Sequence, residues 1–278
     1  MSNKKDSLGD RMKSYENISR THLTRRVPVI IRIDGKAFHT FTRGMRKPFD
    51  PVLMSAMQQT MKYLCENIQG CVLGYTQSDE ITLVLTDYAT ITTDAWFGYG
   101  VQKMCSIVAS MATMAFNRYF HGEVMTFTFN NGENYELDSQ EYNLCEVYRK
   151  AVKRGAMFDA RVFTVPKEEV CNCLIWRQQD ATRNSIESVG QAYFSHNQLH
   201  KKTCNMIQDM LHEEKGINWN NFPTDCKRGA CCYRVERTVE MADPRNAGQI
   251  IPVTRRQWEI DREIPIFTQN RDYVEKWL

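Results

Sequence analysis

Two acidic motifs stand at the ends of strand-like runs in this chain. Residues 29–33 are largely apolar and β-branched, and they lead directly into Asp34. This predicts a buried strand with a carboxylate at its carboxyl end. Residues 71–85 contain two strand patterns that pivot on Asp79 and Glu80, which predicts a hairpin with acids at its turn. If the hairpin lies beside the first strand, Asp34 and Asp79 meet at one rim, where two carboxylates could bridge a pair of divalent cations for phosphoryl transfer.

Each acidic motif also has a purely structural interpretation. An Asp-Gly pair after a strand is often only a turn, and residues 78–80 would make an ordinary polar hairpin tip. Their occurrence together, in matching positions of one predicted topology, favours metal chemistry over two unrelated turns.

Hydrophobic periodicity places the elements that must position these acids. In chain order they are a helix over 7–22, a strand over 29–33, a helix capped by Asp50-Pro51, a hairpin over 71–86, a long helix beginning near Trp96 and a strand over 158–165. After the first helix the order is β-α-β-β-α-β, the ferredoxin-like unit, so the fold class is α+β with a polymerase-type palm. In that topology the first strand is central and the second strand of the hairpin lies next to it. Residues 121–157 are predicted to form an inserted hairpin and loop.

The predicted domain organisation has two parts. Residues 1–233 form a palm-type catalytic domain with added helices, and residues 234–278 form a C-terminal appendage of unknown role. Within the appendage, residues 250–253 and 264–267 are strand-like, separated from the body by Pro and Gly breakers.

Charge is distributed unevenly along the chain. The net charge is only +3, yet residues 1–50 hold twelve Lys and Arg against five Asp and Glu. A concentrated basic segment around the predicted metal site suits a polyanionic substrate such as a nucleotide or RNA. Ordinary solvated surface lysines would give the same charge pattern and remain the alternative.

Composition indicates a cytoplasmic protein with reduced thiols. The 278 residues contain no run of about eighteen apolar positions and begin with no signal-peptide pattern, so we expect no membrane partner. Ten cysteines occur without a C-x-x-C pair, which predicts structural thiols and neither a zinc ribbon nor a disulfide framework.

Four blocks of the sequence are similar to signature blocks of the tRNA(His) guanylyltransferase superfamily. They occur in family order at 32–41, 47–48, 74–80 and 176–180, and the resemblance extends from about Leu8 to Tyr233. It implies a palm-type nucleotidyltransferase that adds nucleotides to the 5′ end of tRNA in the 3′–5′ direction. It also implies ATP as the activator of the 5′-phosphate, GTP or another NTP as the nucleotide donor, and a homotetramer.

The same resemblance assigns roles to particular residues. Asp34 and Asp79, with the carbonyl of Gly35, would hold two Mg²⁺ ions, and Glu80 would support catalysis. The implied nucleotide contacts are Asp34, Gly35, Lys36, Ala37, Phe38, His39, Lys47, Ser78, Asp79 and Lys103. A lysine ammonium suits triphosphate oxygens. Weaker candidates for RNA contact are Arg177 and Asn184.

The sequence departs from the pattern of dedicated tRNA(His) enzymes at residues 182–185. Those enzymes carry His-Ile-Asn-Asn there, whereas this chain has Thr-Arg-Asn-Ser, so only Asn184 matches. The departure is similar to the guanylyltransferase-like proteins, which repair 5′-truncated tRNA by templated addition. A dedicated tRNA(His) guanylyltransferase remains an alternative, and a nucleotide cyclase-like enzyme or a non-catalytic RNA-binding module are remoter ones.

Overall fold

The computed structural model describes residues 7–131, 140–242 and 250–278. Its strands are β1 Val29–Gly35, β2 Cys71–Gln77, β3 Glu80–Leu85, β4 Phe158–Thr164, β5 Ala230–Ala242 and β6 Ile250–Asp261. Its helices are α1 Ser7–Ile18, α2 Phe38–Phe41, α3 Pro51–Asn67, α4 Val101–Asn131, α5 Gln140–Arg154, α6 Lys167–Tyr193, α7 His196–Leu199, α8 Cys204–Lys215, α9 Thr224–Arg228 and α10 Asp272–Glu275. Short 3₁₀ turns lie at Trp96–Tyr99 and Trp219–Asn221.

The predicted palm topology is confirmed. All six strands join one sheet in the order β4-β1-β3-β2-β5-β6, and the first four carry the ferredoxin-like arrangement with β1 and β3 at its centre. Every pairing is antiparallel. The hairpin turn between β2 and β3 therefore lies at the carboxyl end of β1.

Alternation along the strands builds two cores, one on each face of the sheet. Ile31 and Ile33 of β1 are fully buried against α3 and α4 on one face. Ile30 is even-numbered, so its side chain lies on the other face, where it is buried with Leu174 of α6 and Phe267 of the C-terminal segment. Because β1 is covered on both faces of the sheet, most of its residues are apolar, and they form a nearly continuous apolar run in the sequence.

The start of α3 also forms as predicted. The Asp50 side chain accepts a hydrogen bond from the Leu53 backbone N–H at 3.0 Å, and Pro51 occupies the first helical turn. Asp50 additionally accepts a hydrogen bond from the Tyr148 hydroxyl at 2.7 Å, which ties this helix start to α5.

Two local predictions are wrong. The first helix ends at Ile18 rather than near residue 22, and the chain then runs extended so that His22 pairs with Gly100. Within the predicted insert at 121–157, α4 continues to Asn131 and α5 runs over Gln140–Arg154, so the described part is mainly helical; residues 132–139 lie outside the described part. Buried residues at helical spacing, Leu144, Tyr148 and Ala151, stabilise α5.

The C-terminal segment joins the body of the sheet. Strand β5 begins at Ala230 and pairs with β2, so the expected boundary after residue 233 falls inside a strand. Strand β6 contains the predicted strand at 250–253 but is much longer, and residues 264–267 form no strand. Phe267 is instead buried beneath the sheet, as part of the second core.

None of the cysteines forms a disulfide, and all ten lie within the described residues. Among the helices the structure describes, none combines the length and apolarity that crossing a bilayer requires.

Candidate active site

The two predicted metal-binding aspartates lie at one rim of the sheet. Strand register places Asp34 of β1 opposite Glu80 of β3, one residue from Asp79. The Gly35 backbone N–H donates to the Asp79 carbonyl at 3.1 Å, so the hairpin turn is bonded directly to the end of β1. The 45-residue separation in sequence is thus closed by pairing of two central strands.

Burial and mutual repulsion raise the pKa of the Asp79 carboxyl. Burial contributes most, and the nearby negative charge of Asp34 adds to it, while the Ser78 hydroxyl, which donates to Asp79 at 3.1 Å, opposes the shift. A cation at this rim would relieve both unfavourable effects. The sequence places no lysine or arginine at the tip itself, residues 77–79.

These donors fit a magnesium site that is completed by substrate. Carboxylate and carbonyl oxygens are the ligands Mg²⁺ prefers, and it commonly uses one or two protein carboxylates together with substrate phosphates. Among the described residues, no group of three or more His, Cys, Asp or Glu side chains could by itself hold a metal ion. Asp34 and Asp79, with the Gly35 carbonyl, would hold the ions at the rim.

The loop after β1 is held by an aromatic cluster. Phe38 and Phe41 of α2 are buried against Phe116 and Phe158, with ring centroids 5.1 to 5.7 Å apart. A Cβ on Gly35 would lie 2.2 Å from the Phe38 ring, so only glycine permits this close approach. The anchored rings leave the backbone of the loop and the neighbouring polar residues facing outward.

A cavity of about 720 Å³ opens beside the rim, and it is here called the nucleotide cleft after the contacts that the family resemblance implies. The loop from β1 to α3, the hairpin tip and α6 form its walls. Of the predicted nucleotide-binding residues, those that line it are Gly35, Ala37, Phe38, His39, Lys47, Ser78 and Asp79. Two exposed cations that sequence reasoning missed, Arg43 and Arg46, also line it. Lys36 is exposed but does not line this cleft.

Lys103 is placed elsewhere. It lines a separate cavity with Arg20, His22 and Phe97, and its Nζ lies 4.6 Å from the Phe97 ring centroid. Thr113, ten residues later on α4, bonds the start of β4 beside the rim, so Lys103 lies roughly 15 Å back along the helix. Within one chain the structure does not bring Lys103 to Asp34 and Asp79.

The buried position of Arg177 does not fit the RNA contact predicted from the sequence. Its side chain is 8% exposed, and it donates to Glu80 at 2.7 Å and to Asp180 at 2.7 Å. Burial raises the pKa of Glu80, while Arg177 and then Arg32 oppose that rise. A guanidinium occupied in this way positions Glu80 and is not available to bind RNA at the surface.

Asn184, one turn beyond Asp180, lies at the border of the cleft. Its amide is 3.4 Å from the Asp180 carboxylate, and it lines a small cavity of about 140 Å³ that also contacts Ser78 and Pro48. Those two residues line the nucleotide cleft as well, so the two spaces adjoin.

Asp159 is an acid that sequence reasoning missed. It lies on β4 directly opposite Asp34, with its side chain 57% exposed, and its carboxylate is 3.6 Å from the guanidinium of Arg161. The alternation of 158–164 could have shown that Asp159 and Arg161 share a face. Only the register of β4 on β1 shows that Asp159 joins the rim.

Comparisons with known proteins identify the relatives of this chain. The family model of tRNA(His) guanylyltransferase matches residues 9–166. A bacterial tRNA(His) guanylyltransferase-like protein in complex with ATP is 41% identical, with a TM-score of 0.76 over 98% of each chain. Such a protein in complex with GTP is 38% identical, with a TM-score of 0.72 over 98% of this chain and 99% of that one. A protein of unassigned function from Acanthamoeba polyphaga mimivirus is 30% identical over 81% of this chain and 76% of its own.

The chain belongs to the tRNA(His) guanylyltransferase family, because the family model covers more than half of its length. It is accordingly a nucleotidyltransferase.

Proposed function

We propose that this family member is a Mg²⁺-dependent enzyme that adds nucleotides in the 3′–5′ direction to the 5′ end of tRNA, as templated repair of 5′-truncated tRNA. The observation that carries the proposal is the meeting of Asp34 and Asp79 at one rim beside a cation-lined cleft. The ATP and GTP complexes of the bacterial proteins described above support nucleoside triphosphates as substrates.

Two transfers of a phosphoryl group would use the same rim. First, the 5′-phosphate oxygen of the RNA attacks the α-phosphorus of ATP, so AMP is joined to the RNA and pyrophosphate leaves. Then the 3′-hydroxyl of an incoming NTP attacks the RNA 5′-phosphorus, and AMP leaves. When bound, Mg²⁺ would neutralise charge on the phosphoryl oxygens and lower the pKa of the attacking hydroxyl.

The residues of the chain have positioning and electrostatic roles in this scheme. Lys47, Arg43 and Arg46 would bind the triphosphate from the cleft wall, the arginines through planar, two-pronged contacts. The Ser78 hydroxyl orients the Asp79 carboxylate. Neither step requires a nucleophilic side chain, since oxygen atoms of the substrates carry out both attacks.

Templated repair is favoured over tRNA(His)-specific addition by residues 182–185. The His-Ile-Asn-Asn pattern of dedicated enzymes is reduced to Asn184, while the rim remains complete. Chemistry would then persist without restriction to one tRNA, and pairing with the facing acceptor base would select the nucleotide. Family membership favours both versions over a cyclase and over a non-catalytic RNA-binding module.

The test is a matched set of tRNAs that lack the first 5′ nucleotide. The four possible facing bases are combined with each NTP in the presence of ATP and Mg²⁺, and Asp79→Asn serves as the inactive control. Addition of the complementary nucleotide to tRNAs of several identities is expected. Guanosine addition to full-length tRNA(His) alone, whatever base faces it, would establish the dedicated enzyme instead, and cyclic nucleotide formation from ATP alone would show a cyclase.

A homotetramer and a cytoplasmic location are part of the same proposal. An apolar stripe on α1 supports assembly, since Met12, Tyr15 and Ile18 are 45% to 83% exposed. Ten cysteines without a disulfide among them support a reducing compartment. Light scattering that gives the mass of one chain would contradict the tetramer, and enrichment of a tagged chain in an oxidising compartment would contradict the location.

A further inference from the structure

An exposed tryptophan lies beside the catalytic rim. Trp176 of α6 is 51% exposed, more than any other of the chain's five tryptophans. Two guanidinium groups contact its ring, that of Arg177 at 4.2 Å and that of Arg32 at 5.4 Å from the centroid. A large aromatic surface that lies beside cations and is open to solvent is the composition of sites that stack nucleic-acid bases.

Strand geometry connects this ring to the rim. Arg32 precedes Asp34 by two residues on β1, so the two side chains share a face and lie about 7 Å apart along the strand. Arg32 is opposite Arg161 on β4, whose side chain is 54% exposed. Trp176, Arg32 and Arg161 therefore form a surface, here called the stacking shelf, one row of residues away from Asp34.

The stacking shelf and the nucleotide cleft lie on opposite sides of the carboxylates. Ser188 and Gln191 of α6 line the cleft, twelve and fifteen residues beyond Trp176, which is roughly 18 and 22 Å along the helix. Arg177, which binds Glu80, lies at the Trp176 end of that stretch. A second substrate that reaches the rim while an NTP fills the cleft would approach across the shelf.

We propose that the stacking shelf binds the 5′-terminal nucleotide of the RNA, with its base stacked on Trp176 and its phosphate near Arg32 and Arg161. The inference rests on the proposed function, since it names the contact that holds the RNA end at the same site. Stacking accepts any base, because every base has a π face. Such a contact orients the RNA 5′ end without selecting its sequence, which suits an enzyme whose selection comes from base pairing.

The test measures binding separately from chemistry. The probe is a 5′-monophosphorylated RNA hairpin with an unpaired 2-aminopurine as its first nucleotide, and a second probe has an abasic first nucleotide. The variants are Trp176→Ala, Trp176→Phe and, as a matched control, Tyr193→Ala, another exposed aromatic residue on α6 that lies outside both surfaces. Fluorescence quenching, RNA Kd and ATP Kd are measured for each variant.

Wild type is expected to quench the 2-aminopurine, and Trp176→Ala is expected to abolish quenching and weaken RNA binding about 5- to 150-fold. Trp176→Phe should retain most of the affinity, and Tyr193→Ala should bind as wild type does. On the abasic probe, wild type and Trp176→Ala should bind equally, because no base remains to stack. The ATP Kd should not change.

Three results would overturn the inference. The first is an unchanged RNA Kd in Trp176→Ala, and the second is an equal loss of affinity on the abasic probe. The third is a loss of ATP affinity alone, which would place the NTP base on the shelf. Nucleotide addition to truncated tRNA by wild type is measured in parallel: activity without a Trp176 effect defeats only the shelf, whereas an inactive wild type defeats the proposed function.

Discussion

The buried ion pair between Arg177 and Glu80 yields the most specific prediction about stability. The two side chains are 8% and 9% exposed, and their closest N–O distance is 2.7 Å. Replacing Arg177 with Met keeps an unbranched apolar chain of similar length but removes the charge. Glu80 would then be a buried carboxylate without its principal partner.

The expected loss of stability is large. Removing one partner of a buried ion pair costs about 3–5 kcal/mol, because the remaining charge is desolvated without compensation. For a chain of this size that corresponds to a fall in Tm of roughly 6 to 20 °C. Arg183→Met is the matched control, since Arg183 also pairs with Asp180 on α6 but is 59% exposed. An exposed pair should contribute at most about 1 kcal/mol.

The stability that Arg177→Met loses should also become smaller as the pH falls. Burial already raises the pKa of Glu80 in the folded protein, and without Arg177, which opposes the rise, that pKa would increase further. The folded variant then binds the Glu80 proton more tightly than the unfolded chain does. Its deficit relative to wild type is therefore full above the raised pKa and shrinks as the pH falls through it.

Urea denaturation of wild type, Arg177→Met and Arg183→Met between roughly pH 8 and pH 5 measures both effects. The double variant Arg177→Met with Glu80→Gln should recover part of the lost stability at pH 8, because no buried charge remains there. A deficit below about 1 kcal/mol, or one that does not change with pH, would refute the assignment of Arg177 as the partner that holds Glu80.

The remaining predictions concern the rim, the cleft and RNA binding. Asp34→Ala and Asp79→Ala should each lower both transfer rates by at least about 10³, since a lost metal ligand removes several kcal/mol of transition-state stabilisation. The circular dichroism spectrum should not change, and near-native activity in either variant would contradict the two-metal assignment. Asp79→Asn should raise the Tm of the metal-free protein near neutral pH, because it removes a buried charge repelled by Asp34. Mg²⁺ should raise the Tm of wild type but not of this variant, and calorimetry that shows the same increase in both would argue against binding at the rim. Lys47→Ala should raise the KM for NTP more than Lys103→Ala does, because only Lys47 lines the cleft; equal KM effects would mean that a neighbouring chain supplies Lys103. The tRNA affinity should fall steeply between about 50 and 200 mM salt through counterion release, and titrations that overlay at both salts would contradict it.

The sequence by itself determined the topology of the palm and the two aspartates. Their signals are local: β-branched runs that end in acids, and the Asp50 cap before Pro51. Each signal lies within a few residues, where periodicity and capping act directly on the backbone. The long helix α4 is predicted, but its last part and all of α5 are missed, because residues 121–157 are assigned to a hairpin and loop. Leu144, Tyr148 and Ala151 have helical spacing, so α5 was also within reach of sequence analysis.

Only the tertiary structure decided which side chains meet at the rim. Asp159 faces Asp34 because β4 pairs with β1 in one register, and a slip of one residue would have placed it on the opposite face. Arg177 meets Glu80 across 97 positions because α6 crosses the face of the sheet that β1 and β3 share. Strand β5 likewise extends the sheet because it pairs with β2, far from it in sequence. Register and helix docking are set by burial of whole faces, so no short stretch of sequence carries them.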